Sequence, residues 1–223
     1  MLNIALDGPA GSGKSTVAKA IANQLDILYL DTGAMYRACA LKCLECGVDV
    51  KDEPKVSEIV KNIDLEIKYV DGGQVTVLDG KDVSSEIRKP EISMLASTVS
   101  AHKCVRLKMV EMQRKIAASM DCVLDGREIG SFVLPNAEYK FFVTAKPEVR
   151  AERRYKELLQ RGEEITYEKV LRDIQRRDYR DSHRRAAPLK QAEDAVLLDT
   201  SDMDFDTAVK AVKDIIENKA GKD

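Results

Sequence analysis

The chain has 223 residues and a formal net charge of −2. This length suits one α/β core with appendages and is too short for two equal domains. The near-neutral charge gives no overall attraction to nucleic acid or to an anionic membrane, and no apolar run reaches the roughly 18 residues of a membrane span. No basic segment leads into a cleavable apolar stretch at the N-terminus, so we expect a cytoplasmic protein.

Five short apolar runs alternate with segments of helical spacing. They cover residues 2–6, 27–30, 122–124, 139–143 and 195–198. Buried strands that alternate with helices predict a parallel sheet with right-handed crossovers. We therefore predict an α/β fold with a five-stranded parallel sheet flanked by helices.

The stretch "GPAGSGKST" follows the first predicted strand and precedes a helix. In this context the spacing Gly8-x4-Gly13-Lys14-Ser15 predicts a phosphate loop and hence a P-loop NTPase fold. Its backbone N–H groups would hold the β-phosphate of ATP, Lys14 would reach the β and γ oxygens, and Ser15 would bind Mg²⁺. The predicted ATP-binding residues are Gly8, Pro9, Ala10, Gly11, Ser12, Gly13, Lys14, Ser15 and Thr16.

A different period appears after the second strand. Residues 64–78 alternate apolar and polar side chains around the turn Asp71-Gly72-Gly73, which predicts a small antiparallel hairpin. We use the name insert for the segment from about residue 61 to about residue 89. Pro90 can open a helix, and the apolar spacing continues with interruptions through Met112 and Ile116, so helices would lead back to the third core strand. The core would then comprise residues of about 1–60, 90–150 and 186–223.

Ten of the fifteen arginines lie between residues 150 and 185, which we name the lid. Gly162 offers a break between two helical halves, and Pro188 is predicted to end the second half. Arg177, Asp181 and Arg184 are spaced at i, i+4 and i+7, so one helical face would present them together. We predict a short, mobile helical lid.

The arginines favour phosphoryl transfer between two anions. Each pair of unit charges at about 4 Å costs about 4 kcal/mol at an effective dielectric constant of 20, so several cations must converge on the transferred group. An acceptor phosphate is already ionised and needs no general base, which fits a chain with only two histidines. A P-loop ATPase remains an alternative because "CVLDGREIG" supplies Asp125 and Glu128. An RNA-binding use of the lid is disfavoured by its eight acidic residues.

Several motifs in sequence order resemble those of the bacterial cytidylate kinase family. They are "IALDGPAGSGKST", "LDTGAMYRACAL", "DGKDVSSEIR", "VLDGREIG", "RRDYRDSHRRAAPL" and "DAVLLDTS". The resemblance covers nearly the whole chain and implies a CMP-binding insert and a mobile lid. It implies transfer of the γ-phosphoryl group of MgATP to CMP or dCMP, giving ADP and CDP or dCDP. We expect a monomer with these small-molecule substrates and no nucleic-acid or membrane partner; a kinase for another small acceptor is the alternative.

The resemblance also implies the site residues. The catalytic set is Lys14, Arg127, Arg177 and Arg184. The CMP-binding set is Thr32, Arg37, Ser97, Arg106, Arg127, Glu128, Arg177, Asp181 and Arg184. Arg153, Arg154 and Arg161 are further lid candidates, and adenine is expected near residues 199–202.

Ser97 and Arg106 would read the base from one long connecting helix. Cytosine presents an amino donor at N4 and acceptors at N3 and O2, whereas uracil reverses the pattern at positions 3 and 4. Arg106 supplies donors, while Ser97 and a carboxylate supply acceptors. That carboxylate is Glu128, where the family generally has aspartate. Asp31 and Thr32 have a second explanation as a helix cap.

Overall fold

The computed structural model describes residues 1–70 and 72–220. In chain order the helices and strands are β1 (Asn3–Asp7), α1 (Lys14–Leu25), β2 (Leu28–Asp31), α2 (Thr32–Glu45), α3 (Glu53–Lys61), β3 (Leu65–Val70), β4 (Gly73–Leu78), β5 (Lys81–Asp82), α4 (Pro90–Val99), α5 (Lys103–Ser119), β6 (Cys122–Gly126), β7 (Tyr139–Thr144), α6 (Pro147–Gln160), α7 (Tyr167–His183), β8 (Val196–Asp199) and α8 (Phe205–Ala220). None of the helices within these described residues is long and apolar enough to cross a membrane.

The five predicted core strands form one sheet in the order β2-β6-β1-β7-β8, and every neighbouring pair is parallel. This confirms the predicted fold class. Each strand runs at least one residue beyond its predicted carboxyl end, to Asp7, Asp31, Gly126, Thr144 or Asp199. These residues are polar or small, so hydrophobicity alone ended the predicted strands too early. Ligands of open α/β sheets bind at this carboxyl edge.

The predicted hairpin is present, with β3 antiparallel to β4. Asp71, in its predicted turn, lies outside the described residues. A third strand, β5, pairs with β4 and was not predicted, because two residues are too short to show a period. Leu65 and Leu78 point into the main hydrophobic core, where Val83 and Ile87 join them.

Pro90 opens α4, as predicted. The interrupted apolar spacing corresponds to two helices, since α4 ends at Val99 and α5 begins at Lys103. The single long helix that the resemblance implied for Ser97 and Arg106 is wrong, because these residues lie on different helices. His102 has an extended backbone (φ −71°, ψ 131°), and its ring Nε2 lies 2.7 Å from the carbonyl oxygen of Val50. His102 thus contacts the loop that contains Val50 at the point where the chain is not helical, between α4 and α5.

The lid contains α7 and most of α6, and Gly162 separates them with a left-handed φ of 77°. Pro188 does not end α7, because the helix already stops at His183. Arg184 is extended (φ −68°, ψ 146°), and its Nε donates to the carbonyl of Ala187. Arg184 therefore leaves the helical face on which the i+7 spacing placed it. The division into core, insert and lid as moving units stays a prediction.

Candidate active site

A cavity of about 220 Å³ opens at the carboxyl edge of the sheet, between the phosphate loop, α2, α4 and α7. Residues far apart in the chain meet on its walls. All nine residues of the predicted CMP-binding set line it, and they are Thr32, Arg37, Ser97, Arg106, Arg127, Glu128, Arg177, Asp181 and Arg184. Lys14 and Ser15 line the same cavity. Tyr36, Ser93, Ser100 and Asp125 also line it, although none was in the predicted set.

The phosphate loop joins β1 to α1 in a conformation that its glycines permit. Gly8 has φ 149°, and a Cβ there would lie 1.9 Å from the carbonyl oxygen of Val143. Gly13 is left-handed (φ 85°) where α1 begins, so backbone N–H groups are available at the helix N-terminus. Burial, together with the nearby Arg127 cation, lowers the pKa of Lys14 to about 7.

Ser15 and Asp125 form a hydroxyl–carboxylate pair beside Lys14, in which the Ser15 hydroxyl donates to Asp125. Burial raises the pKa of Asp125, and the nearby Asp31 carboxylate adds to this effect. Two hard oxygen ligands suit Mg²⁺, which usually binds one or two protein oxygens together with substrate phosphates and waters. The pair therefore fits the predicted metal. The sequence signal for Asp125 is its position at the end of a predicted strand, where it also fits the aspartate of the P-loop ATPase alternative.

Glu128 is the centre of a buried cluster on the acceptor side. Its Oε1 accepts from Arg106 Nη1 at 3.0 Å and from the Tyr36 hydroxyl at 3.2 Å, while Oε2 accepts from Arg184 Nη2 at 2.7 Å. The Arg106 guanidinium also lies 5.3 Å from the Tyr36 ring centroid. Glu128 thus contacts Arg106 on α5 and Arg184 directly after the end of α7.

Arg127 lies between the phosphate loop and the lid. Its Nε donates to Asp181 Oδ2 at 2.9 Å, and its Nη1 donates to the carbonyl of Gly126 at 3.2 Å. Although burial opposes ionisation of Asp181, the Arg127 and Arg177 cations hold the pKa of its carboxyl below the usual value. Arg177 remains exposed to the solvent of the cavity.

Asp31 and Thr32 have different contacts. Asp31 caps α2 by accepting from the N–H of Ala34 at 3.1 Å, and it also pairs with Arg37 Nη2 at 2.7 Å. The Thr32 hydroxyl donates to the carbonyl of Asp125 at 2.6 Å. The cap explanation therefore holds for Asp31. Within residues 1–70 and 72–220, Arg37 Nε is one of the few buried side-chain atoms with no hydrogen-bond partner.

Another cavity, of about 200 Å³, borders the end of the phosphate loop and the start of α1. Ser12, Thr16, Arg153, Thr200 and Phe205 contribute to its walls. Arg153 Nη2 donates to the Thr200 carbonyl at 2.6 Å, so α6 contacts the segment after β8. The predicted adenine region, residues 199–202, touches this cavity through Thr200. The position of adenine stays a prediction.

A family model described as cytidylate kinase matches residues 4–218 of the chain. This match spans both the phosphate loop and every residue of the acceptor wall. The chain belongs to the cytidylate kinase family. It is therefore a nucleoside monophosphate kinase by family, and the kinase class takes precedence over the P-loop ATPase alternative.

Named cytidylate kinases are similar over almost the entire chain. The cytidylate kinase of Caldicellulosiruptor bescii is 46% identical over 214 residues, covering 96% of this chain and 95% of the relative. That of Caldanaerobacter subterraneus subsp. tengcongensis is 49% identical over 215 residues, covering 96% and 94%. A solved shikimate kinase from Bacteroides thetaiotaomicron has 14% identity and a TM-score of 0.50, covering 97% of this cytidylate kinase family member and 98% of the neighbour. That likeness shows the shared fold.

Proposed function

We propose that the protein transfers the γ-phosphoryl group of MgATP to CMP or dCMP, giving ADP and CDP or dCDP. One observation carries this proposal: Lys14 and Ser15 of the phosphate loop share a cavity with an arginine cluster centred on Glu128. Donor and acceptor phosphates placed on these walls would meet end to end. The named cytidylate kinase relatives support CMP as the acceptor.

On the donor side, the phosphate loop would bind ATP with Lys14 against the β and γ oxygens. Ser15 and Asp125 would hold Mg²⁺, which when bound neutralises phosphate charge. The lowered pKa of Lys14 reflects a buried amine among other cations. A phosphate anion would supply the countercharge that favours the ammonium form.

On the acceptor side, Arg37, Arg127, Arg177 and Arg184 would surround the CMP phosphate. Their planar groups can bind two phosphate oxygens each, and they offset the repulsion between the phosphates. The unpaired Nε of Arg37 is a donor that a phosphate oxygen would satisfy. The acceptor oxygen is already ionised, so catalysis consists of positioning and charge stabilisation without a general base.

For the base, Glu128 would accept from N4 of cytosine, while Arg106 and Ser97 complete the pattern. An ionised carboxylate offers about four acceptor positions, and Glu128 uses three of them for Arg106, Arg184 and Tyr36. One position is then left for the amino group. Uracil would place a carbonyl there, leaving buried polar groups unpaired.

A coupled assay over CMP, dCMP, UMP, AMP, GMP and shikimate tests this proposal. We expect turnover with CMP and dCMP to exceed that with every other acceptor. Lys14→Ala and Arg127→Ala should each lower turnover by at least about 10²-fold, because each removes charge stabilisation of the transferred group. ATP hydrolysis that is indifferent to added monophosphates would support the ATPase alternative instead.

Ser97→Ala tests the reading of the base. We expect this change mainly to lower the ratio of kcat/KM for CMP to that for UMP, with a smaller effect on turnover at saturating CMP. Ser119→Ala, at the exposed end of α5, is the control and should leave the ratio unchanged. An unchanged ratio in Ser97→Ala would remove Ser97 from the base-reading set.

A further inference from the structure

Arg150 is a buried arginine that the proposed mechanism does not use. It lies on α6 and is 3% exposed, yet it does not face the acceptor cavity. Its guanidinium contacts three separate segments. Nε donates to the carbonyl of Ala145 at 2.8 Å, Nη1 donates to the carbonyl of Ala10 at 3.1 Å, and both terminal nitrogens donate to Asp178 on α7.

The contact with Asp178 is a two-pronged ion pair. Nη1 lies 3.1 Å from Oδ1 and Nη2 lies 2.6 Å from Oδ2, so both carboxylate oxygens are used. This geometry fixes the orientation of both planar groups as well as their distance. A buried guanidinium is costly without its partner, so the pair constrains α7 relative to α6.

The contact with Ala10 constrains the phosphate loop. The peptide bond between Ala10 and Gly11 is trans and planar, so its N–H points opposite to its carbonyl. Because Arg150 holds that carbonyl, the Gly11 N–H is directed away from Arg150. The side chain also packs closely, since a Cβ on Gly11 would lie 3.4 Å from the Cβ of Arg150.

The contact with α7 constrains the lid arginine that faces the acceptor cavity. Val170, Ile174 and Asp178 recur at every fourth residue, so they share the face that packs toward α6. Arg177 and Asp181 lie one position before and three positions after Asp178 and line the cavity. Fixing Asp178 therefore fixes the rotation of α7 about its axis and the direction of Arg177.

We propose that Arg150 and Asp178 are positioning residues that couple the phosphate loop to the cavity face of α7. A single guanidinium holds the loop carbonyl and the lid helix together, so a change in either segment is transmitted to the other. As a consequence, the orientation of the phosphate loop and the orientation of Arg177 on α7 depend on each other. The kinetic part of the test rests on the proposed function, and the exchange part does not.

Hydrogen exchange of the nucleotide-free protein tests the coupling directly. In Asp178→Asn one acceptor oxygen of the pair is replaced by an amide nitrogen. We expect amides of residues 10–14 to exchange at least about fivefold faster, although the substitution lies on α7. Unchanged exchange in these amides would overturn the proposal.

The matched control is Asp173→Asn on the same helix. Asp173 pairs with Arg176 at 3.2 Å on the surface, and both side chains are exposed. We expect exchange in residues 10–14 to stay within about twofold of the unsubstituted protein. Faster exchange in both variants would indicate a general loosening of α7 and would also count against the specific pair.

Steady-state kinetics distinguish coupling of the two sides from separate effects of Arg150 on ATP and of Asp178 on CMP. Arg150→Lys keeps the positive charge but loses the fork. If the pair couples the two sides, Arg150→Lys and Asp178→Asn should each raise the KM for ATP and the KM for CMP by about three- to tenfold. The double variant should be little worse than either single variant.

Separate effects of the two variants on the two substrates would contradict the coupling. Arg150→Lys that affects only ATP, together with Asp178→Asn that affects only CMP and additive losses in the double variant, would overturn the coupling. Should one variant fail to fold, exchange in the other decides. Absence of any CMP kinase activity in the unsubstituted protein would refute the proposed function and leave the exchange result to judge the pair.

Discussion

The insert and the lid both interrupt the α/β core, but different forces attach them to it. The insert contributes Leu65, Leu78, Val83 and Ile87 to the main hydrophobic core. Burial of these apolar side chains makes the insert part of the same cooperative unit as the sheet. Opening the insert fully would expose core residues to water.

The buried apolar side chains of the lid pack against one another and form a cluster separate from the main core. Its small separate cluster consists of Ala151, Leu158, Val170 and Ile174. Its contacts with the acceptor wall are ionic, through the pairs Arg127–Asp181 and Glu128–Arg184. Bound phosphate can replace such ionic contacts, whereas no ligand replaces a buried leucine. We therefore expect substrate to change the contacts of the lid and to leave the insert packed against the core.

Removal of an ionic lid contact should have the largest effect, and it should be on turnover. Arg184→Ala leaves Oε2 of Glu128 without its guanidinium and removes a cation from the acceptor wall. We expect kcat to fall by about 10²- to 10³-fold with a much smaller change in the free energy of unfolding. A coupled assay and urea unfolding measure the two quantities.

Arg185→Ala is the neighbouring control for that change, because Arg185 is exposed. We expect its turnover to stay within about threefold of the unsubstituted protein. Equal losses in the two variants would mean that net lid charge, and not the contact with Glu128, determines turnover.

Truncation of a buried apolar side chain should lower the free energy of unfolding more in the insert than in the lid. Leu78→Ala in the insert should lower the global free energy of unfolding by about 3 kcal/mol, since Leu78 is 2% exposed in the main core. Ile174→Ala in the lid should lower it by about 1 kcal/mol and mainly increase local opening of α6 and α7. Urea unfolding measures the first effect, and hydrogen exchange across residues 150–185 measures the second.

A comparable global loss for the two truncations would contradict the separation of the lid cluster. Ala substitution at both sites removes a branched aliphatic side chain, so each variant serves as the control for the other. Similar exchange rates in the lid of both variants would also count against the comparison.

The free energy of unfolding should depend on pH through Asp7, a buried carboxyl group next to the acceptor wall. Asp7 accepts from the N–H groups of Ile129 and Gly130 at 2.7 Å each, which holds the turn that follows Glu128. Burial raises the pKa of Asp7 from 3.8 to about 6, although the hydrogen bonds from Ile129 and Gly130 lower it. A raised carboxyl pKa contributes stability that is complete below about pH 4 and is lost as pH rises through about 6.

The measurement compares the unsubstituted protein with Asp7→Asn, which has no charge to titrate at this position. Between about pH 4 and pH 7 the difference in unfolding free energy should shift by about 2 kcal/mol in favour of the variant. A difference that is constant across this range would show that Asp7 is ionised throughout.

The smallest effect should come from an exposed ion pair of the insert. Lys68 and Glu66 lie 3.1 Å apart, and both side chains are 57% exposed. Lys68→Ala should change the free energy of unfolding by less than about 0.5 kcal/mol, because water screens the pair. A loss near that of Leu78→Ala would show that surface charge also attaches the insert.

Much of this architecture follows from local patterns in the sequence. Apolar runs predicted the five core strands, alternation predicted the hairpin, and Gly162 predicted the break in the lid. The motif at residues 8–16 predicted the phosphate loop, and the family resemblance predicted nine residues that meet on one cavity wall. Each of these signals depends on residues that are neighbours in the chain or on a motif of known spacing.

Tertiary structure alone decided how distant groups meet. The position of the break before α5, the departure of Arg184 from α7, and the contact of Arg150 with both Ala10 and Asp178 each involve residues far apart in sequence. Periodicity reports which side chains turn inward, but it carries no information about which buried charge finds which partner. That choice depends on the packing of whole helices and loops, and it exists only once the chain has folded.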